Sequence, residues 1–287
     1  MRDLREKAIV ITGAGDGIGA ATALACAAAG MDLVLNDLNE EKLERTAAVV
    51  HSMGARVTMV PGDVVASTTT ERLISAAEQR VGGIYAVFAN AGIGERRAII
   101  DFPAADVRRL FEVNFFASLE LLRAAARALV SAGRPGHLMM CSSCTCRMTL
   151  AGHGIYSATK AAQHHVCRAM SMELRPHGIA VSCIIPGIVR TSYFQSSDRT
   201  SDEAFQSKTI LPRIPRCFLQ EPEHIARDVI NCLRRPRSEV WSQPVFRLAA
   251  AFMTALPSLM DFEMRRRFKA NDAVGQHAID PSSASSA

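Results

Sequence analysis

Tyr156 and Lys160 stand four residues apart in the segment Tyr156-Ser157-Ala158-Thr159-Lys160. On a helix, residues at that spacing share a face. A phenol beside an ammonium ionises more easily, because the positive charge favours phenolate. Such a pair can act as general acid or base for an alcohol and its carbonyl. The chain has 287 residues but only three tyrosines and five lysines. Chance would place about 0.05 such pairs in it. The bland alternative is an ordinary pair on a helix surface.

A second chemical feature lies near the start. Lys7–Thr12 reads as a strand and runs into Thr12-Gly13-Ala14-Gly15-Asp16-Gly17-Ile18-Gly19. Glycines there permit unusual φ and close backbone approach, and the helix that follows offers N–H groups to a pyrophosphate. The spacing GxxxGxG differs from the GxGxxG fingerprint, but the physics is shared. The alternative is a purely structural turn. Asp37 ends the next strand, 18 residues after Gly19. A carboxylate at that place can accept both hydroxyls of an adenosine ribose and would repel a 2′-phosphate. Neither Leu38 nor Ala14 offers a cation to a phosphate, which favours NAD over NADP. Asp37 could also cap the helix that opens near Asn39, and both roles could hold.

The elements that must position these groups alternate. Candidate strands are Lys7–Thr12, Asp32–Asp37, Ala55–Val60, Ile84–Ala89, His137–Ser142 and Ile179–Ile185. They are mostly continuous apolar runs, as parallel strands covered on both faces are. Helix-length segments lie between them: Gly17–Gly30, Glu40–Met53, Ser67–Val81, Ala104–Ala132 and Ile155–Pro176. This alternation predicts an α/β fold with a doubly wound parallel sheet, Rossmann-like, whose ligands bind beyond the carboxyl ends of the strands.

With these motifs in order, the chain resembles the short-chain dehydrogenase/reductase family over about four-fifths of its length, from Lys7 to Ile230. Thr12–Gly19 matches the family's cofactor turn, and Asp63-Val64 its adenine-contacting pair. Asn90-Ala91-Gly92 matches the NNAG segment, with Ala89 in place of its first Asn. Asn114 matches the helix asparagine of the active site. Ser143, 13 residues before Tyr156, matches the catalytic serine. Pro186-Gly187-Ile188-Val189-Arg190-Thr191 matches the PGxVxT segment beside the nicotinamide. The resemblance implies that Tyr156 exchanges a proton with the substrate oxygen and that Lys160 binds the nicotinamide ribose and favours tyrosinate. It implies that Ser143 orients the reacting oxygen and that Asn114 supports a water in a proton relay. It also implies an NAD-dependent oxidoreductase acting on a secondary alcohol or ketone. A homodimer or homotetramer is expected, packed through the helices around Phe111–Leu129 and Ser157–Arg175. The rivals are an NADPH-dependent ketoreductase and a dinucleotide-binding regulator without turnover.

Composition narrows the remaining choices. A chain with 48% hydrophobic and 21% charged residues is not a disordered tail, a collagen or a small disulfide scaffold. The net charge of +5 is concentrated after Arg190, in clusters such as Arg234, Arg235, Arg237 and Arg265–Arg267. A mild excess without a recognised module argues against nucleic-acid binding. A peripheral membrane contact through the Arg-rich end is a further reading, set against a solvated surface. Met1–Glu6 is charged and no run of about 20 apolar residues exists, so neither a secretory signal nor a membrane span is expected. A cytoplasmic protein with eight reduced cysteines follows. Cys141, Cys144 and Cys146 lie close together, but no second pair follows at zinc-ribbon spacing, so no metal is expected. Residues 1–243 read as one dinucleotide-binding catalytic domain, with a substrate flap over 191–216. Phe194, Phe205, Ile210 and Leu211 in the flap hint at a partly apolar substrate. Residues 244–270 read as a helical extension, with apolar residues at roughly helical spacing over Leu248–Phe268 broken by Pro257, and 271–287 as a disordered tail.

Overall fold

Strands and helices alternate along the chain in the computed structural model, which describes residues 1–80, 82–148, 150–191 and 218–258. The expected flap beyond Thr191, the extension beyond residue 258 and the tail 271–287 lie outside the described residues. The first half runs β1 (Ala8–Thr12), α1 (Gly17–Ala28), β2 (Asp32–Asn36), α2 (Glu40–Ser52), β3 (Val57–Met59), α3 (Ser67–Glu78) and β4 (Ile84–Ala89). There follow α4 (Ala104–Phe111), α5 (Ala117–Ser131), β5 (Gly136–Cys141), α6 (Gly154–Glu173), β6 (Ile179–Ile185) and β7 (Ile188–Val189). The last described elements are β8 (Leu219–Gln220), α7 (Pro222–Arg234), β9 (Glu239–Trp241) and α8 (Pro244–Ala255).

Seven strands form one sheet in the order β3-β2-β1-β4-β5-β6-β9, and every neighbouring pair is parallel. Successive side chains point to opposite faces, so each apolar strand supplies two cores. Ile9, Ile11, Leu33, Leu35 and Phe88 join Leu43 of α2 and Ile225, Val229 and Leu233 of α7 on one face. Val10, Val34, Val87, Leu138 and Met140 join Leu73 of α3, Leu122 and Leu129 of α5 and Cys167 of α6 on the other. The doubly wound sheet is the one the alternation predicts. Its order reverses between β1 and β4, which opens a crevice at their carboxyl ends.

Three departures from the sequence reading bear on the site. The segment expected as one helix over Ala104–Ala132 is interrupted by a π-helical turn, Glu112–Phe116, between α4 and α5. Two short strands, β7 and β8, pair outside the main sheet, with Ile188 opposite Leu219 and Val189 opposite Gln220. The C-terminal helix begins at Pro244 rather than Leu248. Proline suits the first turn of a helix, where its missing N–H has no partner to lose.

One polar cluster is buried low in the sheet. His137 on β5 meets Ser182 on β6, Nε2 to Oγ at 2.7 Å, and the Cys232 thiol of α7 donates to the same Oγ at 3.3 Å. Burial, with a smaller push from Arg2, pulls the His137 imidazole down to about 3.

Candidate active site

The crevice between β1 and β4 is built by backbone demands. Gly13 and Gly17 take φ of +65° and +53°, where a Cβ is strained. A Cβ on Gly13 would lie 3.0 Å from Ala91 Cα, and one on Gly19 would run into the Gly13 carbonyl oxygen. The reason for this closeness is a staple between the two turns. Thr12 Oγ1 accepts the N–H groups of Asn90 and Ala91, both at 3.1 Å. Asn90 Nδ2 donates back to the carbonyls of Thr12 at 3.1 Å and Gly13 at 3.2 Å. Asp16 caps α1, accepting the Gly17 N–H at 2.6 Å, and Ile18 packs down onto the core. A glycine cradle at a helix N-terminus and a sheet's switch point fits the pyrophosphate of a dinucleotide.

Asp37 stands just past β2. Its Oδ2 accepts the Gly15 N–H at 2.9 Å and its Oδ1 the Asn39 N–H at 2.8 Å. Asn39, not Asp37, caps α2 by accepting the Lys42 N–H at 2.8 Å. The capping role left open for Asp37 therefore belongs to its neighbour. The structure also brings a cation to this end that Leu38 and Ala14 do not disclose. Lys42 Nζ lies 2.8 Å from Asp16 Oδ2. Asp63 accepts the Val65 N–H at 3.0 Å and Arg109 Nη2 at 2.9 Å. Burial raises the Asp63 carboxyl, but those two partners together hold it below the usual range. Val64 lines a small cleft with Thr12, Ala91 and Val113.

The acid–base candidates converge above β4 and β5. Tyr156, Thr159, Lys160 and Gln163 fall on one face of α6. Lys160 is buried, and its Nζ donates to the Cys141 carbonyl at 2.8 Å and lies 5.6 Å from the centre of the Tyr156 ring. Burial pushes the Lys160 ammonium below its ordinary range. A Cβ on Gly92 would come 3.2 Å from Asn114 Oδ1 and 3.6 Å from Lys160 Nζ, so glycine lets these groups meet. Asn114 sits inside the π-helical turn. Its amide donates to the Ile93 carbonyl at 2.9 Å and to Thr159 Oγ1 at 3.1 Å, and its Oδ1 accepts the Ile93 N–H at 2.8 Å. Its main-chain carbonyl accepts from the Gln163 side chain.

Ser143 follows β5 in extended backbone, two residues from the carbonyl that anchors Lys160. Its Oγ accepts the Thr145 N–H at 3.3 Å. Neighbouring Ser142 donates to the Lys160 carbonyl at 2.9 Å. The Cys144 N–H donates to the Pro186 carbonyl at 2.8 Å, so the exits of β5 and β6 run together. Burial pushes the Cys144 thiol up to about 11, which keeps it a thiol. Thr191 reaches Gly17, with its Cγ2 2.9 Å from where a Cβ would stand. Gly187 donates its N–H to Gln220 Oε1 at 3.3 Å, and the Phe246 ring of α8 occupies the space where a Cβ would go. Among the described residues, no group of three or more His, Cys, Asp or Glu side chains is arranged to hold a metal ion.

Sequence reasoning missed several members of this assembly. Gln163 and Thr159 share the Tyr156–Lys160 face, and helical periodicity was the signal that could have found them. The segment 93–101 also closes over the start of α6. The Arg97 N–H donates to the Gly152 carbonyl at 3.0 Å, and Ile99 Cγ1 lies 2.9 Å from where a Gly154 Cβ would stand.

A family model described as short chain dehydrogenase matches residues 7–202. The chain is 36% identical over 194 residues to 1-deoxy-11-beta-hydroxypentalenate dehydrogenase of Streptomyces exfoliatus, covering 67% of this chain and 70% of that one. It is 28% identical over 233 residues to L-rhamnose 1-dehydrogenase (NAD(P)(+)) of Sphingomonas sp. (strain SKA58), covering 80% and 90%. Among solved structures, a short chain dehydrogenase/reductase from Burkholderia phymatum in complex with NAD superposes with a TM-score of 0.81 at 25% identity, over 91% of this chain and 97% of that one.

Proposed function

The chain belongs to the short chain dehydrogenase family and is an NAD(P)-dependent oxidoreductase, and from that premise we propose that it moves a hydride between NAD(H) and a secondary alcohol or its ketone. The observation that carries this reading is Lys160, buried and anchored on the Cys141 carbonyl with its ammonium 5.6 Å from the Tyr156 ring. A cation on the same helix face beside the phenol favours its phenolate form. In oxidation, Tyr156 takes the hydroxyl proton at its phenolate oxygen; in reduction it returns that proton to the carbonyl oxygen. Ser143 orients the reacting oxygen by hydrogen bonding. Lys160 also binds the nicotinamide ribose. Asn114, clamped by Ile93, Thr159 and Gln163, supports a water through which the proton reaches solvent. When bound, the nicotinamide takes or supplies the hydride, which no side chain can do.

The cofactor's binding set is Gly13, Gly15, Asp16, Gly17, Ile18 and Gly19 at the pyrophosphate, Asp37 at the adenosine ribose and Asp63-Val64 near the adenine. Asn90-Ala91-Gly92, Pro186, Gly187 and Thr191 border the nicotinamide half. Asp37 favours NAD over NADP, because its carboxylate would face a 2′-phosphate. The substrate is partly apolar: Ile99, 62% exposed, borders the start of α6 at Gly154. Residues 1–243 form the catalytic unit, and α8 supports it by backing Gly187 with Phe246. The enzyme assembles as a homodimer or homotetramer through α5 and α6. The names of the two curated relatives, dehydrogenases of a hydroxypentalenate and of L-rhamnose, support alcohol oxidation. Titrating NAD and NADP, then screening secondary alcohols and ketones by reduced-cofactor absorbance, tests the proposal. A productive alcohol with NAD supports it, and a large preference for NADP would remove the Asp37 argument.

A further inference from the structure

We propose that the Asp16–Lys42 ion pair is a second determinant of cofactor choice, in which Asp16 holds the Lys42 ammonium away from the place a 2′-phosphate would need it. The inference rests on the reading that NAD(H) binds at the glycine turn. Gly15 is flanked on both sides: a Cβ there would lie 2.9 Å from the Asp37 carboxyl carbon and 2.9 Å from Lys42 Cβ. The Lys42 stem therefore rises beside the carboxylate that faces the ribose. From that root, a four-carbon stem can carry its ammonium toward Asp37 or toward Asp16. It goes to Asp16, Nζ to Oδ2 at 2.8 Å.

The placement of these charges bears on which cofactor is favoured. Asp16 and Asp37 place two carboxylates beside the Lys42 ammonium. A phosphate monoester brings about −1.5 to −2 charges at neutral pH. NAD presents neutral ribose hydroxyls at the same place. Removing the Asp16 carboxylate frees Lys42 to turn toward a phosphate, a group that the ribose of NAD lacks. Both partners are partly exposed, with Lys42 and Asp16 side chains 37% and 46% accessible, so the ammonium has room to move. Asp16 also caps α1, but asparagine and serine cap as well as aspartate does, so the turn survives the substitution.

The test is calorimetric titration of NAD+ and NADP+ into the full-length wild type, Asp16→Asn, Lys42→Gln and the double variant. Asp16→Ser serves as a second version of the first substitution. Asp16→Asn and Asp16→Ser should each raise the preference for NADP+ over NAD+, read as the ratio of the two affinities, by about tenfold or more. The gain should vanish in Asp16→Asn/Lys42→Gln and shrink as salt is raised, as a phosphate–ammonium contact does. An unchanged ratio in both Asp16 variants would overturn the proposal. So would a gain that persists in the double variant, because Asp16 would then act by its own charge and not through Lys42. Either result leaves NAD+ binding by the wild type intact. A wild type that binds no NAD+ would instead overturn the reading of the site on which the proposal stands.

Discussion

His137 offers a quantitative test of how this sheet is held together. Its imidazole lies between β5 and β6 with Ser182 and Cys232 against it, and burial drops it from 6.5 to about 3. The folded protein thus keeps His137 neutral at any pH above about 3, whereas the unfolded chain protonates it below about 6.5. Because the unfolded state binds the extra proton, stability falls as pH is lowered through that window. The full contribution is present above about 6.5. At about pH 5 the loss from this one group is roughly 2 kcal/mol, and at about pH 4 it is roughly 3 kcal/mol. His137→Gln keeps a polar partner for Ser182 but cannot titrate. Urea unfolding of both proteins from about pH 7 to pH 4 should give stability curves that converge as pH falls, by roughly 2 kcal/mol at about pH 5. The subtraction removes every group common to both proteins, including His153 and His164, which burial also lowers. Parallel curves would refute the argument, for they would mean that His137 titrates alike in the folded and unfolded chains.

Two further predictions concern the site. Gly19→Ala should weaken NAD+ binding by about tenfold or more in a calorimetric titration, because its Cβ meets the Gly13 carbonyl and the turn must open. Gln163→Leu removes the amide that holds the Asn114 carbonyl, a group whose loss costs about 1–3 kcal/mol when its partner is left unmet. Steady-state kinetics should show kcat lowered by about one to two orders of magnitude, with KM for NAD within about twofold.

The strands were legible because parallel strands buried on both faces are written as unbroken apolar runs, as in Ile84–Ala89. The glycine turn was legible because its backbone tolerates no substitute at Gly13 or Gly19. The π-helical turn was not. Its flanking residues keep helical dihedrals, as Phe111 and Ala117 do, and only the hydrogen-bond register changes, to which hydrophobic periodicity is nearly blind. The pairing of β7 with β8 was also hidden, since strands of two residues carry no pattern. Tyr156 and Lys160 could be paired from spacing alone because both lie on one helix. Lys42 could not be joined to Asp16, nor Asn114 to Gln163, because those contacts depend on how separate elements pack.

In the proposed reaction Tyr156 carries the proton while the rest of the site binds cofactor. Tyr156→Phe keeps the ring and removes only the oxygen that exchanges the proton. With NAD and an alcohol found in the screen, kcat/KM should fall by about 10²- to 10⁴-fold, the usual worth of a positioned acid–base group, while NAD+ binds within about twofold of wild type. Near-wild-type turnover in that variant, with the same substrate, would contradict the account.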